Sequence, residues 1–164
     1  MSDLKWLDGY SGQTVDELLL LEAECRIDSL VLAFEQAVDQ KAARLGVDAL
    51  SGEERIVLAI EALEREVNNG GYGQFFLNSS REFAPTIVQA LVLIGCPKTA
   101  AITQRAIDAL HLPALSVEAI EAAMSDEGSE AELNECDNSY YQAGEDIAGQ
   151  LFAFIKANKD AIAL

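Results

Sequence analysis

Two four-residue patterns, Thr14-Val15-Asp16-Glu17 and Ser51-Gly52-Glu53-Glu54, each stand ahead of apolar residues that recur every three or four positions. In such a capping box, hydroxyl and carboxylate reciprocally satisfy backbone N–H groups at a helix start. The spacing that follows lays one apolar stripe along one face of an α-helix. A long helix is predicted from Thr14, carrying Leu18, Leu21, Cys25, Leu30, Phe34, Val38 and Leu45, with Gly46 free to turn left-handed at its end. The helix from Ser51 carries Ile56, Val57, Ile60, Leu63 and Val67 and is expected to stop near Asn69-Gly70-Gly71.

Helical signals continue beyond. Tyr72, Phe75 and Phe76 are spaced so that a short helix brings all three rings to one face. Pro85 suits a first helical position, followed by Ile87, Val88, Leu91 and Ile94 and closed by Gly95. Pro97 opens a fifth helix through Leu110, which His111-Leu112-Pro113 breaks. Ser116 reads as the N-cap of a helix to about Met124, Ser125 to Glu132 as a polar loop, and a last helix buries Ile147, Leu151, Phe152, Phe154 and Ile155. No alternating hydrophobic run lies between hairpin turn residues. The expectation is an all-α, single globular domain of about six to eight helices over 1–164, with 1–13 as an N-terminal extension and 14–162 as the helical region.

A chain of 164 residues, 50% of them hydrophobic, buries about 70% of its unfolded surface, so no metal or disulfide staple is required. Cys25, Cys96 and Cys136 are odd in number and widely spaced, which reads as buried or half-buried thiols rather than redox or zinc chemistry. No uncharged apolar stretch reaches the roughly 18 residues of a membrane span. Met1-Ser2-Asp3-Leu4-Lys5 lacks the basic and apolar segments of a secretory signal. A cytoplasmic location is expected, without cofactors.

Charge restricts the partners. The chain has 28 acids, 11 bases and a formal net charge of -17, where a magnitude of about 2–8 suffices for solubility. From Ala106 to Ile155 no Lys or Arg occurs, yet the stretch carries eleven carboxylates. Like charges on a helix cost about 0.2–0.5 kcal/mol per pair, so something other than stability favours them. Direct nucleic-acid binding is disfavoured, because affinity for a polyanion needs Lys and Arg, and anionic membrane surfaces are disfavoured likewise. What such a surface attracts is a basic protein or a divalent cation, and a basic DNA-binding protein is the partner assigned. The residues assigned to that contact are Glu118, Glu121, Asp126, Glu127, Glu130, Glu132, Glu135 and Asp137, read as lacking internal partners.

Catalytic constellations are missing, and the expectation is a protein that is not an enzyme. His111 is the only histidine, with nothing local to orient its ring. Carboxylate pairs such as Glu118 and Glu121 need one member buried for acid–base work, which clustered acids resist. Asp126-Glu127-Gly128-Ser129-Glu130 fails the EF-hand pattern, so no metal site is assigned.

The segment Glu66-Val67-Asn68-Asn69-Gly70-Gly71-Tyr72-Gly73-Gln74-Phe75-Phe76-Leu77-Asn78-Ser79 resembles the signature of a bacterial DNA-mimic protein family, most of whose members have no assigned function. Ala90-Leu91-Val92-Leu93-Ile94-Gly95 and Asp137-x-x-Tyr140-Tyr141 are similar to it too, and the likeness spans Leu20 to Ile162. The resemblance implies an all-helical fold and an acidic dimer whose surface carboxylates replace DNA phosphates in occupying basic DNA-binding proteins. By the residues alone the motif reads as scaffold. Gly70 and Gly71 let the chain leave a helix, and the amides of Asn68, Asn69, Gln74 and Asn78 satisfy orphaned backbone groups beside Glu66, Tyr72, Phe75 and Phe76. It is not a phosphate loop, since no Lys follows the glycines.

Carboxylates at i and i+4 of a helix climb about 6 Å against about 3.4 Å per phosphate along a strand, so a helix samples phosphate-like spacings without copying a duplex. A twofold homodimer would double the ridge. The leading reading is an acidic interaction module that binds a basic DNA-binding protein in place of DNA. The alternative is a helical regulatory or immunity-like protein whose acids serve only solubility. A small-ligand binder at the Asn/Gly/Gln motif comes third.

Overall fold

Both capping boxes form. In this computed structural model, which describes residues 3–164, Thr14 Oγ1 accepts the Glu17 N–H and Glu17 accepts the Thr14 N–H, each at 3.2 Å. Ser51 and Glu54 exchange the same pair at 3.0 and 3.1 Å. Met1 and Ser2, the start of the segment read for a signal, lie outside the described residues. Eight α-helices follow one another, and among the described residues the only β-type pairing is an isolated bridge between Lys5 and Cys25. The fold is all-α, as the stripes require. None of these helices is long and apolar enough to cross a membrane.

The residues group into two compact units, one of residues up to Glu61 with Asp146–Leu164, the other Ala62–Glu145. In the first, the long helix expected from Thr14 is divided. Helix α1 covers only Val15–Leu20, a 3₁₀ turn spans Leu21–Ala23, and α2 runs Ile27–Leu45. The interruption has a tertiary cause. Lys5 donates its N–H to Glu24 O and accepts that of Arg26, both at 2.8 Å, so these backbone groups pair with the N-terminal segment instead of continuing a helix. Ser29 Oγ accepts the Leu7 N–H at 3.1 Å and Gln36 Oε1 that of Tyr10 at 2.8 Å, fastening the N-terminal extension to α2. Leu30, Phe34 and Val38 of α2 are buried, and α2 packs on α8, Ile147–Ala157. Leu45 is exposed because the buried face of α2 ends at Val38.

Helix α3, Gly52–Leu77, starts in this unit and continues into the next, with one non-helical residue at Gly71. The second unit adds α4 (Ala84–Leu93), α5 (Pro97–Asp108), α6 (Val117–Met124) and α7 (Glu130–Gln142). Helix α5 packs on α4 and on α7. Pro85 and Pro97 lie in the first turns of α4 and α5, and Ser116 caps α6 through the Ala119 N–H at 3.1 Å.

The expected polar loop from Ser125 to Glu132 is largely ordered helix. A 3₁₀ turn at Glu127–Ser129 leads directly into α7. Glu130 and Glu132 sit at the positive end of its dipole, and Leu133, Cys136 and Tyr140 recur along its buried side. All three cysteines are buried and none forms a disulfide; burial pushes the Cys136 thiol above its usual pKa.

Glu54 fastens the first unit. Its carboxylate is almost wholly buried and accepts from Lys41 Nζ at 2.9 and 3.1 Å, from the Ser51 N–H at 3.0 Å and from the Ala163 N–H at 2.9 Å. Burial acts to raise its pKa, but these donors together hold it below the ordinary carboxylate value. Because the folded value lies below the unfolded one, the stabilisation is complete above the unfolded pKa of about 4.3 and is lost as the pH falls through the folded value. Glu54→Gln is expected to destabilise the protein by about 3 kcal/mol at neutral pH, and to flatten the acid limb of stability measured by urea unfolding from pH 7 to 3.

Candidate functional site

The signature segment is built around the break at Gly71. With φ 80° and ψ −176°, this residue occupies a region open essentially to glycine alone. A Cβ there would also strike the Asp137 carboxylate, lying 2.7 Å from its carbon and 2.8 Å from Oδ1. Past the break, the Tyr72 N–H has lost its helical acceptor and donates to Asp137 Oδ1 at 2.7 Å. Tyr141 Oη donates to Val67 O at 2.6 Å on the preceding side, so α7 holds both arms of the kink.

Side chains of the motif complete the brace. Glu66 Oε2 accepts from Gln74 Nε2 at 2.9 Å and Asn78 Nδ2 at 2.7 Å, tying residues before the break to residues after it. These amides were expected to serve backbone groups; they serve a carboxylate instead, which their helical spacing from the kink makes reachable. Asn68 and Asn69 are exposed, and their side chains make no hydrogen bond among the described residues. Tyr72, Phe75 and Phe76 are fully buried, as their spacing predicts. Tyr72 Oη shares a hydrogen bond of 2.8 Å with Thr103 Oγ1, and burial drives its pKa well above the usual value. Phe75 and Phe76 meet edge to face at 5.4 Å, and Tyr72 meets Tyr140 likewise at 5.9 Å.

The acidic residues do not form one uniform face. Asp137 departs from the exposed set, since its carboxylate is consumed at the kink. Glu145 is likewise consumed: it caps α5 by accepting the Lys98 and Thr99 N–H groups at 3.2 and 2.6 Å and Thr99 Oγ1 at 2.8 Å. Burial opposes its ionisation, yet these donors hold its pKa below the ordinary range. Asp126 accepts the Gly128 N–H at 3.3 Å and Asp146 caps α8 through the Gly149 N–H at 3.0 Å. Glu121 lies 3.5 Å from Arg81 Nη2 and Glu132 lies 4.0 Å from His111 Nε2. The stretch read as lacking internal partners therefore has several, because helix N-termini and residues distant in sequence supply them.

Glu118, Glu127, Glu130 and Glu135 remain exposed, with no hydrogen bond or ion pair to their carboxylates among the described residues. On α7, Glu130 falls beside Asn134 and Asp137 on one flank of the buried stripe, and Glu132 and Glu135 fall on the other. Facing that first flank is the signature segment. Gly70, Gly73, Gln74, Leu77 and Asn78 line one wall of a groove of about 590 Å³. Met124, Asp126, Glu127, Ser129, Glu130, Leu133, Asn134 and Asp137 line the other. The motif and the acidic stretch, separate in sequence, thus share one cavity. Its carboxylates and amides suit the recognition of a cation or an N–H-rich group. His111 is exposed with a left-handed φ of 52°, and no group of three His, Cys, Asp or Glu among the described residues is arranged to hold a metal.

A family model described as DMP19-like protein matches residues 48–158, which includes the whole signature segment, the acidic stretch through α7, and α8. No curated protein and no solved structure gives a significant match.

Asp137→Ala removes the acceptor of a buried N–H and is expected to cost about 1–3 kcal/mol. Phe76→Ala is expected to cost about 3–5 kcal/mol. Urea unfolding measures both, and Gly71→Ala should be destabilised even when combined with Asp137→Ala, since removing the clash leaves the backbone strain.

Proposed function

The chain belongs to the DMP19-like protein family, a family of DNA-mimic proteins, and from that premise we propose that it is a non-enzymatic interaction module that occupies the DNA-binding site of a basic DNA-binding protein. The observation that carries the reading is the set of exposed, uncompensated carboxylates on α6, the Glu127 turn and α7. Glu118, Glu127, Glu130 and Glu135 lie where no Lys or Arg follows within the surrounding stretch from Ala106 to Ile155. A surface of this kind draws a cationic cleft by long-range attraction, which raises the association rate and makes binding salt-dependent. It repels nucleic acid itself. Pairing of two copies about a twofold axis would extend the anionic surface to match a dimeric DNA-binding protein.

A second reading has its own support. Residues 62–145 carry thirteen acids and four bases, but the other unit is also acidic, with fifteen against seven. If acidity serves solubility alone, no set of acids is special. Both units hold ion pairs, as in Arg26–Asp28 at 2.6 Å, Lys156–Glu22 at 2.7 Å and Lys159–Asp16 at 3.1 Å in the first and Arg81–Glu121 at 3.5 Å in the second. What favours the leading reading is the exposed set Glu118, Glu127, Glu130 and Glu135, whose carboxylates have no such partner among the described residues.

The experiment is capture of proteins from the native lysate at low and high salt, followed by elution with duplex DNA. Basic DNA-binding proteins should be retained at low salt and released by DNA. Replacing Glu118, Glu127, Glu130 and Glu135 with Gln should weaken the complex about tenfold or more, with thermal stability unchanged or raised as repulsion is relieved. The exposed control set Asp3, Asp8, Asp48 and Asp160, changed to Asn, should have a smaller effect. Equal losses from both sets would favour the solubility reading, and failure of DNA to release any bound protein would reject mimicry.

A further inference from the structure

Gly73 has no conformational or steric reason to be glycine. It is absent from the positive-φ residues, and a Cβ built on it meets nothing within 4 Å. Inside a helix glycine costs about 0.5–1 kcal/mol relative to alanine. The effect of the missing side chain is to leave space, because Gly73 lines the groove between the signature segment and α7. At about 590 Å³ the groove is an open cleft with room for a side chain.

The polarity of its walls selects the occupant. Glu66 consumes the amide nitrogens of Gln74 and Asn78, which leaves their carbonyl oxygens as the ends without a partner among the described residues. Opposite them stand the carboxylates of Glu127 and Glu130, acceptors without a counter-ion. Leu77 on one wall, and Met124 and Leu133 on the other, supply apolar surface beside these acceptors. Acceptors flanked by apolar surface call for a ligand with an apolar stem and a cationic head rich in N–H donors. Arginine meets that description: five donors in one plane, no acceptor, a weakly hydrated charge and a three-methylene stem.

We propose that this groove seats an arginine-bearing segment of the basic partner, with the guanidinium between Glu127, Glu130 and the oxygens of Gln74 and Asn78, and the stem on Leu77, Met124 and Leu133. The proposal rests on the reading of the protein as a binder of basic proteins and names the contact that gives that binding its specificity. Charge on the outer surface attracts any cation; the groove distinguishes a planar donor with a hydrocarbon stem. Lysine, a compact and strongly hydrated charge, fills it less well.

The test uses acetylated hexa-arginine and hexa-lysine peptides as probes of the full chain, read by calorimetry. Side-chain amide resonances of Gln74 and Asn78 are followed by NMR. The arginine peptide should bind about tenfold tighter than the lysine peptide and shift both amide pairs. Gly73→Leu fills the groove without changing the charge and should weaken arginine binding about tenfold, with helicity retained in circular dichroism. Glu127→Gln with Glu130→Gln should weaken it comparably, and Asp48→Asn with Asp160→Asn, the same charge change outside both the groove and the partner-binding carboxylates, less than about twofold. Unchanged affinity in Gly73→Leu, equal losses from the two double variants, or equal binding of the two peptides would overturn the groove while leaving competition with DNA intact. Groove binding that persists where DNA competes for nothing would instead overturn the mimic reading alone.

Discussion

One backbone N–H, that of Tyr72, sets the frame of the second unit. Where Gly71 breaks α3, the following residue has no helical acceptor, and a buried unpaired donor costs about 1–3 kcal/mol. Asp137 answers it from a position 65 residues away in the chain, at 2.7 Å. Together with the Tyr141 hydroxyl on Val67 O, that contact holds α7 beside the kink, where the Asp137 carboxylate fills the space of a Cβ at residue 71 and Tyr140 meets Tyr72. The groove is lined by the two segments that these bonds hold together.

The acids of the chain divide by task. Glu54, Asp137 and Glu145 are spent on backbone N–H groups, and Glu66 on side-chain amides, so all four are structural despite their charge. Exposed acids such as Glu118 and Glu135 contribute nothing visible to the fold. This division matters for the acidic stretch. A count of charges treats Asp137 and Glu135 alike, whereas the fold uses one and presents the other. The carboxylates left open to contact are therefore fewer than the composition suggests, which makes that set accessible to selective substitution.

Groove and field act at different ranges. Exposed carboxylates act over a distance of roughly 8–10 Å at moderate salt and hasten encounter without discriminating among cations. Contacts inside the groove, where Glu66 fixes which ends of the Gln74 and Asn78 amides remain available, act only at contact and depend on shape. Under the proposed function, a surface that combines the two would attract many basic proteins and retain few.

The helices were legible because the forces that start and align them are local. Capping at Thr14, Ser51 and Ser116 reaches three residues along the chain, and an apolar stripe repeats within four, so the all-α fold and the burial of Tyr72, Phe75 and Phe76 could be read directly. The break after α1 and the helix from Glu130 could not. The first depends on Lys5 pairing with residues 24 and 26. The second lay within an acid-rich run whose stripe, Leu133, Cys136 and Tyr140, is narrow and partly polar. Sequence by itself determined the helical class, the negative sign of the surface and the resemblance of the signature. Tertiary structure alone decided which acids are spent, that Glu66 rather than the backbone takes the motif's amides, and that motif and acids face one groove. Those outcomes turn on pairs such as Tyr72 and Asp137, whose separation along the chain leaves no periodic trace in the sequence.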